Sequence, residues 1–426
     1  MSAALISLFA SFVLLLVLGV PIAFGIGVAD LMSILAKANL PLTIIPQKLY
    51  TSIDSFSLLA IPLFIIAGDI MMKGGISKRL INLANAVLGW SKYCLAYVTV
   101  AASAFFAAIS GSAPATNAAI GGMMYDEMTK NGFDPDFSAF LGAISGTLGP
   151  LIPPSIPIVI FATQNSGVSV KAMFSAAAVA GVILAIVYCL TAKFTLRKDT
   201  GIKVNSEKPT LRTFWLAFLD AIWGLISPLI ILGGIYSGKF SATEAAVISV
   251  VYSLLIGFFV YKELTVKDVM ESLLNSALTS GMVLILIGVA SIFSWMLSVE
   301  GVGALLKGLV ASAGLNKYAF LLIVTLIYLV LGCFIETIPI IILTSPIFFP
   351  IATGLGVDPV HFGILTVFNL VFGIITPPFG INLYVSAGYS KRDIFSMCRK
   401  GKYFFVAGIA MILVFTFLPQ LYMWAV

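Results

Sequence analysis

The chain has 426 residues, 60% of them hydrophobic and 10% charged, with a mean hydropathy of +1.10 and a formal net charge of +6. This composition excludes a soluble globular domain and describes a chain that crosses a bilayer many times, with room for roughly ten to twelve spans of about 20 residues. Cys94, Cys189, Cys333 and Cys398 lie far apart without CxxC spacing, which argues against a disulfide framework or a thiolate metal knuckle.

In chain order, apolar runs predict membrane helices at 4–28, 58–72, 93–125, 138–162, 172–195, 213–236, 242–261, 275–298, 318–353, 361–388 and 403–425. The first run has no basic region before it and no small-residue cleavage site, so it reads as a retained first span. Runs 93–125 and 318–353 are too long for one crossing. Each is interrupted near its middle, by Ser110-Gly-Ser-Ala-Pro114 and by Glu336-Thr-Ile-Pro339, and both are expected to be re-entrant helical hairpins. Runs 138–162 and 361–388 contain Pro153-Pro154 and Pro377-Pro378, which sit in matching apolar contexts 224 residues apart. Proline removes a backbone donor and clashes with the preceding turn. Each of these runs is therefore expected to be a broken transmembrane helix, whose freed carbonyls must face protein or a water-filled cavity.

Lys and Arg favour the cytoplasmic side of a membrane. With the N-terminus cytoplasmic, and each hairpin counted as no net crossing, loops 73–92, 126–136, 193–212, 262–271 and 391–402 hold eighteen of the 24 Lys and Arg. Six remain outside: Lys37, Lys48, Lys171, Lys239, Lys307 and Lys317. The positive charge is thus a topology signal and implies no nucleic acid. The same count puts the C-terminus outside. It also opens the first hairpin inward and the second outward, so the halves are inverted about the membrane plane. The fold class is an all-α polytopic membrane protein with inverted repeats, two re-entrant hairpins and two Pro-broken helices. Its parts are a first scaffold region with arm helices (1–92), a first transport half (93–195), a cytoplasmic linker (196–212), a second scaffold region with an arm helix (213–317), a second transport half (318–402) and a last transmembrane helix (403–426).

Ser55-Phe-Ser-Leu-Leu-Ala-Ile-Pro-Leu-Phe64, Ala107-Ala-Ile-Ser-Gly-Ser-Ala-Pro-Ala-Thr116, Gly149-Pro-Leu-Ile-Pro-Pro-Ser-Ile-Pro157 and Gly373-Ile-Ile-Thr-Pro-Pro-Phe-Gly380 resemble the DctM-type large membrane subunit of TRAP (tripartite ATP-independent periplasmic) transporters. The likeness covers essentially the whole chain and extends to the sialic acid systems. It implies a sodium-driven, elevator-type importer of organic acids such as C4-dicarboxylates and sialic acids. The setting implied is the bacterial inner membrane, with the C-terminus periplasmic. The partners implied are a small four-helix membrane subunit and a periplasmic substrate-binding protein. The first span opens the chain, so the small subunit is expected as a separate polypeptide. No cofactor is expected beyond Na+ as coupling ion, and no enzymatic activity. The family's second hairpin tip usually carries Asp where this chain has Glu336, which keeps the charge and moves it one methylene outward.

The residues support that chemistry. Sodium prefers oxygen ligands, and the C-terminus of a half-helix offers free carbonyls and a favourable dipole. One sodium site is expected from Ser110, Gly111, Ser112 and Asn117 facing Gly146, Gly149 and Pro150. A second is expected from Gly332, Glu336 and Thr337 facing Gly373, Thr376 and Asn382. Half-helix N-termini present N–H groups suited to a carboxylate, and Ser110, Ser155 and Glu336 are the expected substrate contacts, with Ser155 facing the cavity. Glu336 reads as the only carboxylate deep in an apolar run, where a charge marks function. Asp30, Asp69 and Asp220 read as solvated at span ends, and His361 as a surface residue. A stand-alone divalent-anion/sodium symporter shares the inverted-hairpin plan. An intramembrane hydrolase using Ser110 or Ser112 would lack a base in reach.

Overall fold

The computed structural model describes residues 2–37, 39–88, 93–197, 202 and 210–426. Most of the expected linker 196–212 therefore lies outside the described residues. Among these, every regular element is helical, and seven helices are long and apolar enough to cross a membrane.

The run 4–28 is not one span. Gly19, at φ +75°, and Pro21 turn the chain between α1 (Ala3–Val17) and α2 (Ile22–Ala36). The two helices pack antiparallel, with the Ser33 hydroxyl donating to the Ala4 carbonyl at 2.9 Å. Ser2 and Lys37 consequently meet on one carboxylate, Glu300, with Lys37 at 2.7 Å. Glu300 follows α14 (Val266–Val299), a helix of 34 residues and so about 51 Å long. At its other end Glu271 pairs with Lys73 at 3.3 Å. The first residues thus share a face with Lys37 and lie opposite Lys73. The expected topology sets the N-terminus and Lys73 on one side, whereas these contacts set them at opposite ends of α14.

α3 (Ile44–Ile53) and α4 (Ala60–Lys73) lie against α14, and α5 (Ile76–Leu88) follows a turn at Gly74 and Gly75. Arg79 of α5 pairs with Asp220 at 3.1 Å and Glu263 at 2.8 Å, holding α5 to α12 (Leu211–Tyr236) and to the loop after α13 (Ala242–Leu255).

Two antiparallel helix pairs follow the same plan. In the first, α6 (Cys94–Ser110) turns back through α7 (Ala113–Thr116), a π-helical turn at Asn117–Gly121 and α8 (Gly122–Lys130), and the Thr99 hydroxyl reaches Met128 Sδ at 3.5 Å. In the second, α16 (Lys317–Phe334) and α17 (Thr337–Gly354) are held by Tyr328, whose ring lies 5.9 Å from Phe348 and whose hydroxyl bonds Thr344 at 3.1 Å. A broken helix follows each pair: α9 (Pro135–Gly146) and α10 (Ile156–Gln164), then α18 (Pro359–Gly373) and α19 (Ile381–Ser390). The peptide bond within each Pro-Pro pair is cis.

The starts of α9 and α18 explain why they form. Asp134 accepts from the Phe137 N–H at 3.0 Å, Asp358 accepts from the Val360 N–H at 2.8 Å, and each precedes a proline at the first helical position. These Asp-Pro pairs are 224 residues apart, the offset that also relates the Pro-Pro pairs and the tip residues Ser112 and Glu336. The two units therefore match residue for residue from tip to break.

The units interlock. Phe161 of α10 stacks edge-on against Phe349 of α17 at 5.9 Å and packs on Phe362 of α18 at 6.2 Å, while α19 lies along α9. α11 (Val170–Leu196) and α21 (Lys402–Phe417) cover this body. α15 (Val302–Ser312) touches α17; α20 (Ile394–Lys400) bends 70° into α21, and α22 (Gln420–Met423) closes the chain. His361 is buried, its Nδ1 bonded to the Tyr422 hydroxyl at 2.5 Å, so it is not a surface residue. Asp30 is also buried, with no hydrogen-bond partner among the described residues. Glu336 is thus not the only deep carboxylate.

Candidate functional site

The first hairpin tip meets the first Pro-Pro break at two glycines. Gly111 is left-handed at φ +59°, and a Cβ there would lie 2.8 Å from the Pro154 carbonyl oxygen. A Cβ on Gly149 would lie 2.4 Å from the Ser112 carbonyl oxygen. Only glycine admits so close an approach. The junction gathers the carbonyls of Ser112, Ala113, Pro150 and Pro154 with the hydroxyls of Ser110 and Thr116, which bond each other at 2.7 Å. Ser155 departs from its expected place: its hydroxyl donates to the Pro150 carbonyl and caps α10, and the side chain is fully buried away from the cavity.

The second tip meets the second break in the same manner. Gly332 and Gly373 pack backbone to backbone, and the Gly380 N–H donates to the Cys333 carbonyl at 3.0 Å. The Thr376 hydroxyl donates to the Phe372 carbonyl at 3.0 Å, beside the Ile374 and Thr376 carbonyls that face Gly380. Asn117 and Asn382, read from the sequence as belonging to separate sites, are joined. Asn117 Nδ2 donates to the Asn382 carbonyl at 2.8 Å and to the Ser386 hydroxyl at 3.0 Å, and Asn117 Oδ1 accepts from the Tyr389 hydroxyl at 3.0 Å. Asn382 Nδ2 donates to the Ala143 carbonyl at 2.5 Å. This buried knot ties the first tip to the second break. Ser386 and Tyr389, one and two turns into α19, carry no sequence motif that would have singled them out.

Between the tips lies a cavity of about 340 Å3. Ser110, Gly111, Ser112, Pro150, Glu336 and Thr337 open onto it from the two tips and the first break. Ser112 and Glu336 are the N-cap residues of the two returning arms. Ser112 uses its side chain to accept from the Ala115 N–H at 3.4 Å, whereas Glu336 makes no capping bond and exposes its carboxylate to the cavity. The opposite wall comes from Gly68, Asp69 and Met72 of α4, and Asn275, Ser276 and Thr279 of α14. The sequence reading missed these polar residues; their i, i+4 spacing on α14 was the available signal. The cavity lining contains no Lys, Arg or His.

The donors at both junctions are carbonyl and hydroxyl oxygens, the ligand type of a hard cation. Among the described residues, no group of three or more His, Cys, Asp or Glu could hold a metal ion. Outside the membrane-spanning segments, Arg392 hydrogen-bonds Asp136 and holds its carboxyl below the usual range, and Lys400 pairs with Asp134. These pairs fix α20 to the start of α9.

The family model described as "Tripartite ATP-independent periplasmic transporter, DctM component" matches residues 9–421. The C4-dicarboxylate TRAP transporter large permease protein DctM of Rhodobacter capsulatus is 39% identical over 434 residues, covering 99% of this chain and 98% of its own length. The isethionate TRAP transporter permease protein DctMQ of Oleidesulfovibrio alaskensis is 38% identical over 97% of this chain, which spans 65% of that relative. Among solved structures, the YdaH transporter of Alcanivorax borkumensis is similar with a TM-score of 0.63 at 11% identity, covering 89% of this chain and 87% of that one. That likeness is one of fold alone.

Proposed function

This chain belongs to the DctM component family of tripartite ATP-independent periplasmic transporters, and from that premise we propose that it is the large membrane subunit of a sodium-coupled importer of an organic acid. It works in the inner membrane with a small membrane subunit and a periplasmic substrate-binding protein. The observation that carries this reading is the pair of glycine-lined, oxygen-rich junctions flanking one cavity. Each junction binds one Na+ through backbone carbonyls and hydroxyls, and the organic acid sits between them against Ser110 and Glu336. The interlocked halves form a body that moves past the scaffold in the manner of an elevator, carrying both junctions with it.

Glu336 sets the electrostatics. Two like charges about 4 Å apart repel by roughly 4 kcal/mol at an effective dielectric of 20. A substrate carboxylate therefore needs Na+ between itself and Glu336, or Glu336 must bond a hydroxyl or amide of the substrate instead. Uptake of a C4-dicarboxylate and of a sialic acid into membrane vesicles tests the reading. Transport should require both an inward sodium gradient and the binding protein. Equal uptake with potassium replacing sodium on both sides sinks the sodium coupling, and uptake without the binding protein favours a stand-alone symporter.

A further inference from the structure

The scaffold wall of the cavity is itself built for binding. Ser276 is 4% exposed, and its hydroxyl has no hydrogen-bond partner among the described residues; Asp69 Oδ2 likewise has none, its cationic neighbour Lys73 lying 3.9 Å away. Buried polar groups in native proteins otherwise find partners. One turn apart beside Ser276, Asn275 and Thr279 are exposed toward the same space. The Thr279 hydroxyl donates to the Asn275 carbonyl at 2.9 Å, leaving its lone pairs to accept. The wall thus offers a carboxylate, two hydroxyls and an amide, both donors and acceptors, across the cavity from Ser112 and Glu336.

We propose that this wall is a second substrate subsite, and that it selects a polyhydroxylated monocarboxylate of the sugar-acid type over a short dicarboxylate. This rests on the transport reading above. The charge balance favours a single carboxylate. The lining holds two acids, of which Asp69 has Lys73 beside it, while Glu336 has no ion-pair partner among the described residues. A monocarboxylate adds one negative charge to be compensated, a dicarboxylate two, in a site with no cationic side chain. Neutral hydroxyls satisfy Asp69, Asn275, Ser276 and Thr279 without adding any. A volume of about 340 Å3 falls at the small end of ligand pockets, roughly 300–1,000 Å3, which suits one small metabolite reaching both walls.

The test uses the full chain purified with its small membrane subunit, and follows its melting temperature in sodium or potassium buffer with gluconate, N-acetylneuraminate or succinate as probe. In sodium, at least one of the two sugar acids should raise the melting temperature by several degrees and succinate should not. Asn275→Leu and Thr279→Val should remove that shift, while Thr279→Ser, which keeps the hydroxyl, should retain it. The subsite is overturned if neither sugar acid stabilises the protein, if succinate stabilises it as strongly, or if both apolar variants keep the shift. Where a variant does not fold, the probe comparison on the unaltered protein decides. Failure of the sodium reading shows separately, as equal melting temperatures in sodium and potassium without any acid.

Discussion

Ser112 and Glu336 occupy equivalent tip positions and do opposite things with their side chains. The serine closes its own helix, so its removal costs cap energy, on the order of 1 kcal/mol. The glutamate leaves its helix uncapped and points into the cavity, so its loss should spare the fold. Glu336→Gln is expected to abolish stabilisation by substrate while leaving the melting temperature without substrate nearly unchanged; near-normal uptake at saturating sodium would show that the charge is dispensable. Gly149→Ala should behave differently. Its Cβ would lie 2.4 Å from the Ser112 carbonyl oxygen, so the tip must shift, at a cost of about 1–3 kcal/mol for overpacking. The half-saturation for sodium should rise at least roughly tenfold, the equivalent of 1.4 kcal/mol; an unchanged value removes this junction from the ion site. Ser110, Ser112 and Glu336 were legible as cavity-lining residues because a polar residue inside an apolar run has few structural excuses. Ser155 misled because a capping serine and a ligand serine look alike in sequence. Asp69, Asn275 and Thr279 were missed because polar residues toward the end of a run read equally well as interfacial.

At the level of elements, breaks were easier to read than turns. Pro-Pro pairs and interrupted long runs announce discontinuity through missing donors and costly backbone groups, and the 224-residue offset could also have been drawn from Asp134-Pro135 and Asp358-Pro359. Hydropathy has no direction, so it ran straight through Gly19-Val20-Pro21 and fused α1 with α2; the glycine and proline were the only warning. The ties of α20 to the start of α9 give a pH prediction. Hydrogen bonding to Arg392 lowers the Asp136 pKa, so the pair's contribution is fully present above the ordinary carboxylate value and is lost as pH falls through the lowered one. Thermal stability should therefore keep this contribution unchanged between pH 8 and 5 and lose it only below about pH 4. Asp136→Asn should remove that acid-dependent step. An identical acid limb in the variant assigns the step elsewhere.

For the whole molecule, the positions of the cations set an expected plan of the loops, but only contacts reveal which bodies touch. Gly68 of α4 is pressed against the end of α6: a Cβ there would lie 3.2 Å from the Ile109 carbonyl oxygen and 3.4 Å from Ser110 Cα. If the hairpins slide past α4, this contact belongs to one position of the moving body and is absent from another. A bulky residue at Gly68 then penalises only the position described here, by about 1–3 kcal/mol, and displaces the population by roughly five- to 140-fold. The reporter is Asn275→Cys, on the cavity wall that the hairpin tips face, with the four native cysteines replaced. Gly68→Leu is expected to change the labelling rate of this cysteine by a membrane-impermeant thiol reagent about tenfold and, in the chain that keeps Asn275, to slow uptake while leaving the half-saturation for sodium within about twofold. A rigid scaffold and hairpin predict otherwise: the substitution would lower the melting temperature and leave the labelling rate where it was, and the sliding body would have to be given up.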